Sequence, residues 1–430
     1  MHSQSFLKST VVGISFINLA IAYGLNFSFS IFFVPIMEEF KWSRAGIAGA
    51  YSLSALLLGM SSWLGGRLVD RFGSRKILLG GAFILSLSTV GSAWIKEAWH
   101  LYLFFGILAA MGTSGLGWVP HSVLLSSWFV RDRGTMVGIA FSGMGIGILI
   151  IGPVSQFFIS QFGWRVAYII LGFMVLVCLL PLNYFLRDKP DRKENDSKHD
   201  HFSPSIEVHD QTSQLQKNRK KEWDWTLGRS MKTLTFWSLC LSFFLIPLGI
   251  LPVVIHQVAY VTDQGHSKML ASFIFGLMGL FSTVGRLVFG TLSDRIGREK
   301  AVTWSFLFSI LGILILLSLP SFKSELWLYL YSILFGVGFG ARGPIIAAMM
   351  ADLFQGKHFG NIYGFINMAN GIGGALGPWL GGYLHDMTGS YGLTFILCIP
   401  ILTLACILFW TAGWPRKRRR EAFQTLSSAG

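Results

Sequence analysis

Charge is what this chain has least of. Only 13% of its 430 residues are Asp, Glu, Lys or Arg, about half the quarter that a soluble domain carries. That shortage excludes an ordinary water-soluble globule. Cysteine is scarce too. Cys178, Cys240, Cys398 and Cys406 all lie in apolar runs with no CxxC spacing, which favours packed thiols over a disulfide framework or a zinc site. No Gly-Lys-Ser/Thr phosphate loop occurs, so ATP-driven pumping has no support. HExxH and GxSxG are missing as well. The string GMGIG at 143–147 sits inside an apolar run with no strand before it, which argues against a dinucleotide site. The expectation is a protein that is not an enzyme, with no catalytic residue, no metal and no cofactor.

What the chain does have is apolar sequence. It is 52% hydrophobic and 15% aromatic with 49 Gly, and its mean hydropathy is +0.56. Gly is common where membrane helices touch. Runs of about twenty apolar residues, each long enough to cross the hydrocarbon, recur along it. They give twelve spans, at 11–36, 46–68, 77–95, 100–127, 135–159, 166–186, 233–260, 269–291, 301–319, 326–351, 360–384 and 391–413. The first span is too long for a signal-peptide core and lacks a cleavage site, so no cleaved leader is expected.

The formal net charge of +14 would suggest nucleic acid in a soluble protein. Here the basic residues sort into alternate loops instead. One set holds Arg67, Arg71, Arg75, Lys76, Arg131, Arg133, the segment 187–232, Arg295, Arg298, Lys300, Lys357 and Arg416 to Arg420. The opposite set holds only Lys41, Arg44, Lys96, Arg165, Lys268 and Lys323. The richer set is expected to be cytoplasmic, with both termini on that side of a plasma (bacterial inner) membrane. Segment 187–232 is polar and reads as a partly disordered linker, and its end at 222–232, with Trp223 and Trp225 beside basic residues, reads as a short interfacial helix. The tail WPRKRRRE reads as a topology signal touching anionic lipid. The organisation expected is residues 1–186, the linker 187–232, residues 233–413 and a basic cytoplasmic tail 414–430, in a monomer whose partners are lipids and a small solute, with no nucleic acid.

Two loops repeat. Residues 66–76 read GRLVDRFGSRK and residues 290–300 read GTLSDRIGREK, each after the second span of its half. The shared skeleton is Gly-x-Leu-x-Asp-Arg-x-Gly. The first Gly lets helices approach, the Asp can cap a helix or pair with Arg, and the second Gly makes the turn. Span five adds Gly143, Gly145, Gly147, Gly152 and Pro153. The repeated loops resemble the signature loop of the major facilitator superfamily, over nearly the whole chain apart from the linker; Ser74 departs from the basic residue usual there. That resemblance implies an all-α membrane protein of twelve transmembrane helices, in two six-helix bundles with pseudo-two-fold symmetry. It also implies a central site exposed alternately to each side. Asp70, Arg71, Asp294 and Arg295 would then gate the inner face.

No Asp or Glu falls in the middle of a span. Glu38, Glu39, Asp263, Asp352 and Asp386 sit at span ends. Two arginines do fall in the middle. Arg286 precedes Asp294 by eight residues and Arg342 precedes Asp352 by ten, a depth of roughly 12 Å or more. A buried guanidinium keeps its proton and needs a counter-charge. An anionic cargo supplies one, because a carboxylate matches the planar fork; backbone carbonyls are the alternative, above all for Arg342 beside Gly338, Gly340 and Gly343. The span-eight Arg, with HQVAYVTDQG, ADLFQGKHFGNIYG and GGALGPWLGG, is similar to the bacterial monocarboxylate and oxalate–formate branch, where that Arg pairs with the substrate. Ser282 stands where animal members have an Asp, which questions the usual proton-coupling acid. Span eleven has Asn367 and Asn370 rather than a Lys, which argues against oxalate exchange.

Further candidate cargo contacts are Tyr23 and Asn26 in span one, Asn367 and Asn370, against a plain interhelical bonding role. His121 and His256 are the proton-coupling candidates. Phe27, Phe29, Phe32 and Phe33 stripe span one as packing or as an apolar wall. The function expected is a secondary active transporter of a small organic anion, a lactate- or pyruvate-class monocarboxylate with proton symport. Alternatives are an antiporter or carrier of a dicarboxylate, aromatic acid or other organic solute, and a transporter-like sensor.

Overall fold

The computed structural model describes residues 2–129, 133–186, 225–321, 324–354 and 359–428. Every regular element among them is a helix. Most of the expected linker, residues 187–224, lies outside the described residues, as do Arg131, Lys323 and Lys357. So do the side chains of Asp70 and of the tail from Trp414.

The first half of the chain begins with α1 (His2–Phe40), α2 (Arg44–Phe72) and α3 (Ser74–Gly91). The expected fourth span is broken. It comprises α4 (Ala98–Leu101), a π-helical stretch Tyr102–Ala109, α5 (Ala110–Gly115) and, after two non-helical residues, α6 (Trp118–Trp128). Glycine at 112, 115 and 117 weakens helix there, and Pro120 has no N–H for the Leu116 carbonyl, so the helix restarts with Pro in its first turn, where it is tolerated. Then α7 runs Arg133–Phe185, its 53 residues interrupted at Gly163 with φ 79. That length is about 80 Å of helix, more than twice the hydrocarbon thickness, so Gly163 divides two crossings.

The second half holds the one-turn α8 (Leu227–Ser230), α9 (Leu234–Asp263), α10 (Lys268–Ile296), α11 (Arg298–Ser318), α12 (Leu326–Leu353), α13 (Phe359–Thr388) and α14 (Gly392–Ser428). The expected interfacial helix is thus only a turn long among the described residues. The expected tail is continuous helix to Ser428. Nine described helices are long and apolar enough to cross a membrane. The long α7 counts once among them. Outside that set are α2, in which the side chains of 62–67 lie outside the described residues, and the less apolar α13, and these two pack along each other.

The two repeated loops share one backbone. Gly73 follows α2 with φ 82 and ψ 155, and Gly297 follows α10 with φ 94 and ψ 149. Only glycine adopts this conformation without strain, which accounts for the second Gly of the repeat. Asp294 pairs with Arg298 of the next helix at 2.5 Å, and Arg298 reaches Asp352 at 3.5 Å. Arg71 and Arg295 are exposed.

Contacts between the two halves concentrate on two helix pairs, α2 with α13 and α7 with α10. Small residues allow them. A Cβ on Gly59 would overlap the Gly371 backbone, and one on Gly382 would come within 2.6 Å of the Ala45 amide. A Cβ on Gly279 would lie 2.7 Å from the Gly145 carbonyl. Thr283 donates to the Ser142 carbonyl at 3.1 Å, and Ser30 of α1 donates to the Ile255 carbonyl of α9 at 2.8 Å.

Candidate functional site

The polar ties between the halves gather at the rim opposite the repeated loops. Arg44, the first residue of α2, forms a two-pronged pair with Asp263 at the end of α9, at 2.8 and 3.2 Å. It also donates to the Tyr391 hydroxyl at 2.8 Å. The Asp386 carboxylate accepts from the Arg44 and Ala45 backbone amides, capping α2 from the other half of the chain. Lys268 binds Glu38 at 2.7 Å. Arg165 and the Trp164 indole hold Glu39 within the first half. Three of the sparse basic set, Arg44, Arg165 and Lys268, therefore lie in the rim.

Arg286 lies at the inner end of the α7–α10 contact, one turn past the Thr283–Ser142 bond. Its Nη1 donates to the Phe141 carbonyl. Its Nε has no hydrogen-bond partner among the described residues. No carboxylate pairs with it there; its titratable neighbour is Tyr23 of α1, a neutral phenol. The Tyr23 hydroxyl lies at the break before Trp118, 3.5 Å from where a Cβ of Gly117 would be. At that break Gly117 donates to Ser114, and the first amide of a restarted helix lacks an internal acceptor. Trp118 packs edge-on against Phe141 at 4.7 Å between centroids, and its ring lies 3.8 Å from where a Cβ of Gly343 would be. Phe27 meets Phe339 of α12 edge-on at 6.0 Å. The result is a guanidinium with an unbonded Nε beside Tyr23 of α1 and Phe141 of α7, with the ring of Trp118 packed on that of Phe141.

The other candidates are dispersed. Arg342 is buried against α11, where Nη2 donates to Ser309 at 3.0 Å and its charge lies 5.2 Å from the Phe306 ring centre. It faces that helix rather than Arg286. Asn26 is buried with its amide nitrogen unbonded among the described residues. Asn367 and Asn370 are half-buried. His121 is wholly buried, and neither ring nitrogen bonds to a described residue. His256 belongs to the rim: Nε2 lies 2.9 Å from the Pro378 carbonyl and Nδ1 3.1 Å from the Tyr391 hydroxyl. The aromatic stripe of α1 divides. Phe29 stacks on Phe105 and Phe32 on Tyr168 within the first half, while Phe27 and Phe33 reach the second. Trp118 escaped the sequence reading; the Gly-Leu-Gly-Trp-Val-Pro string at 115–120 was its signal.

Comparison with known proteins identifies the family of the chain. The family model described as Major Facilitator Superfamily matches residues 15–342 and 327–428, and the chain belongs to that family. It is an integral multi-pass membrane protein and a secondary transporter of a small organic solute, in a family of carriers rather than enzymes. Human monocarboxylate transporter 2 is 24% identical over 92% of this chain and 83% of its own length. Rat monocarboxylate transporter 12 is 27% identical over 91% and 82%. An uncharacterized MFS-type transporter of Bacillus subtilis, YcxA, is 26% identical over 94% and 96%. The fold is shared with a bacterial homolog of the human lysosomal transporter Spinster in an inward-facing and occupied conformation. There the TM-score is 0.69 at 16% identity, over 95% of this chain and 96% of that one.

Proposed function

We propose that this carrier moves a small organic monoanion of the lactate or pyruvate class, together with a proton, by alternating access between two six-helix bundles. The observation that carries this is Arg286: a guanidinium deep in a span, with an unbonded Nε and no acidic partner among the described residues. A carboxylate supplies both the missing acceptors and the missing charge. Tyr23, Trp118, Phe27 and Phe339 provide the apolar side on which its tail rests.

The bundle plan, residues 1–186 and 233–413, is supported by how the halves meet. The second span of each half packs on the fifth span of the other, as α2 on α13 and α10 on α7. A two-fold relation interchanges these pairs, and the like turns at Gly73 and Gly297 fit it. The sealed rim corresponds to the external side, with the repeated loops, linker, tail and both termini cytoplasmic. In the opposite state Asp70, Arg71, Asp294 and Arg295 close the loop face. The proton travels on the cargo carboxyl or on His121 or His256. Asn26, Asn367 and Asn370 serve as outer contacts of the cargo.

The test is uptake of labelled lactate and pyruvate into proteoliposomes under an inward proton gradient. Arg286→Ala, monodisperse and inserted, is expected to abolish it; unchanged uptake would remove Arg286 from the site. The aromatic walls favour one second reading, an aromatic monocarboxylate. Stronger competition by phenylpyruvate than by lactate would select it, and preferential competition by a dicarboxylate would reject both.

A further inference from the structure

His256 is wholly buried and bonded at both ring nitrogens. The directions of these bonds follow from chemistry. The Pro378 carbonyl only accepts, so Nε2 carries the ring proton. Arg44 only donates, so the Tyr391 oxygen is its acceptor and the Tyr391 hydrogen points to His256 Nδ1. The chain therefore reads Arg44 to Tyr391 to His256 to Pro378, and a neutral imidazole satisfies every member.

A second proton, on Nδ1, removes the acceptor that Tyr391 uses. The Tyr391 oxygen would then face two donors, and its own hydrogen would have no partner in the chain. The new charge also sits one residue away from the Arg44 guanidinium. The charged and titratable groups around the ring are Arg44 of α2, His385 and Asp386 of α13, Tyr391 of α14, and Asp263 and Tyr260 of its own α9. From α1 the edge of Phe33 meets the ring, at 5.2 Å. Asp263 is held by Arg44, and Asp386 by the α2 amides. Both acids are committed to the tie between the halves, so neutralising an imidazolium means drawing them off it.

We infer that His256 is the proton-sensing member of the rim clasp, and that its protonation releases Tyr391 and Arg44 and opens the rim opposite the repeated loops. The proton binds better to the open state than to the closed one, so by linkage acid favours opening. This deepens the proposed function by placing proton dependence at the rim rather than on the cargo carboxyl or His121. It rests on the alternating-access reading alone, and holds whatever the cargo.

The experiment measures the distance between spin labels on Lys41→Cys and Ser390→Cys, in a background lacking the four native cysteines, at about pH 7.5 and about pH 5.5. One linked proton raises the open-to-closed ratio by up to about tenfold per pH unit. His256→Gln keeps a donor for Pro378 and an acceptor for Tyr391; it is expected to hold the short distance at both pH values. Arg44→Ala is expected to give the long distance at both, which shows that the rim can open. A pH-dependent distance that persists in His256→Gln overturns the inference, as does a wild-type distance that stays short while Arg44→Ala lengthens it. A rim that stays short even in Arg44→Ala overturns the alternating-access reading as well.

Discussion

The Asp386 carboxylate caps the helix that begins at Arg44, taking the Arg44 and Ala45 amides at 3.0 and 2.9 Å. The two residues are 342 positions apart, so a local helix device here serves as a tertiary tie. Asp386→Ala is expected to weaken the closed rim by about 1 kcal/mol, roughly a fivefold rise in the open-to-closed ratio. Thiol accessibility of a cysteine placed at Lys41 or Ser390 reports it. An accessibility equal to that of the unsubstituted rim would show that the cap contributes nothing to closure.

The closed seam depends on side-chain-free contact. A Cβ on Gly145 would overlap the Thr283 hydroxyl and the Gly279 carbonyl, whereas Gly138 on the same helix has nothing within 4 Å. Gly145→Ala is therefore expected to cost the closed state about 2 kcal/mol and to populate the open rim, while Gly138→Ala leaves it unchanged. Equal behaviour of the two variants in the same accessibility assay would count against the tight seam.

Trp118 packs edge-on against Phe141, whose carbonyl accepts from Arg286. With the proposed cargo, Trp118→Ala is expected to raise KM about two- to tenfold, the worth of one aromatic contact, with kcat less affected. Initial uptake rates across a concentration series check this. A fall in kcat at constant KM would place Trp118 in the conformational cycle instead.

Asn18 of α1 and Asn183 at the end of α7 exchange two amide hydrogen bonds, at 2.7 and 3.0 Å, both side chains fully buried. A double-mutant cycle with alanine at each position is expected to give a coupling of about 0.6–1.7 kcal/mol in detergent unfolding. Additive single effects would mean that the amides are held independently.

Hydropathy made the spans legible because the hydrocarbon imposes one length on every crossing. It failed at the fourth span, where the apolar string continues across Leu116 and Gly117 although the backbone does not. It also ended α1 at residue 36 and α14 at residue 413, whereas both helices continue into polar sequence. Arg286 was legible because a lone charge at mid-depth is costly wherever the helices pack. The partners of Arg44 were not. Asp263, Asp386 and Tyr391 each stand alone at a helix end, and only the packing of α2 on α13 brings them together. The turn-forming Gly73 and Gly297 were legible as a repeat. The direction of Arg342 was not, because spacing along α12 fixes its depth but not which neighbour its face meets.

The break before Trp118 has an electrostatic consequence. A helix start carries roughly half a positive elementary charge on its free amides. The eleven-residue α6 begins beside Tyr23, the same hydroxyl that neighbours Arg286. The positive potential there has two sources, one in a side chain and one in the main chain, and no substitution at Arg286 removes the second. A neutralised Arg286 variant is thus expected to lose its grip on carboxylates yet still repel cations, since charge discrimination is written partly into the backbone itself.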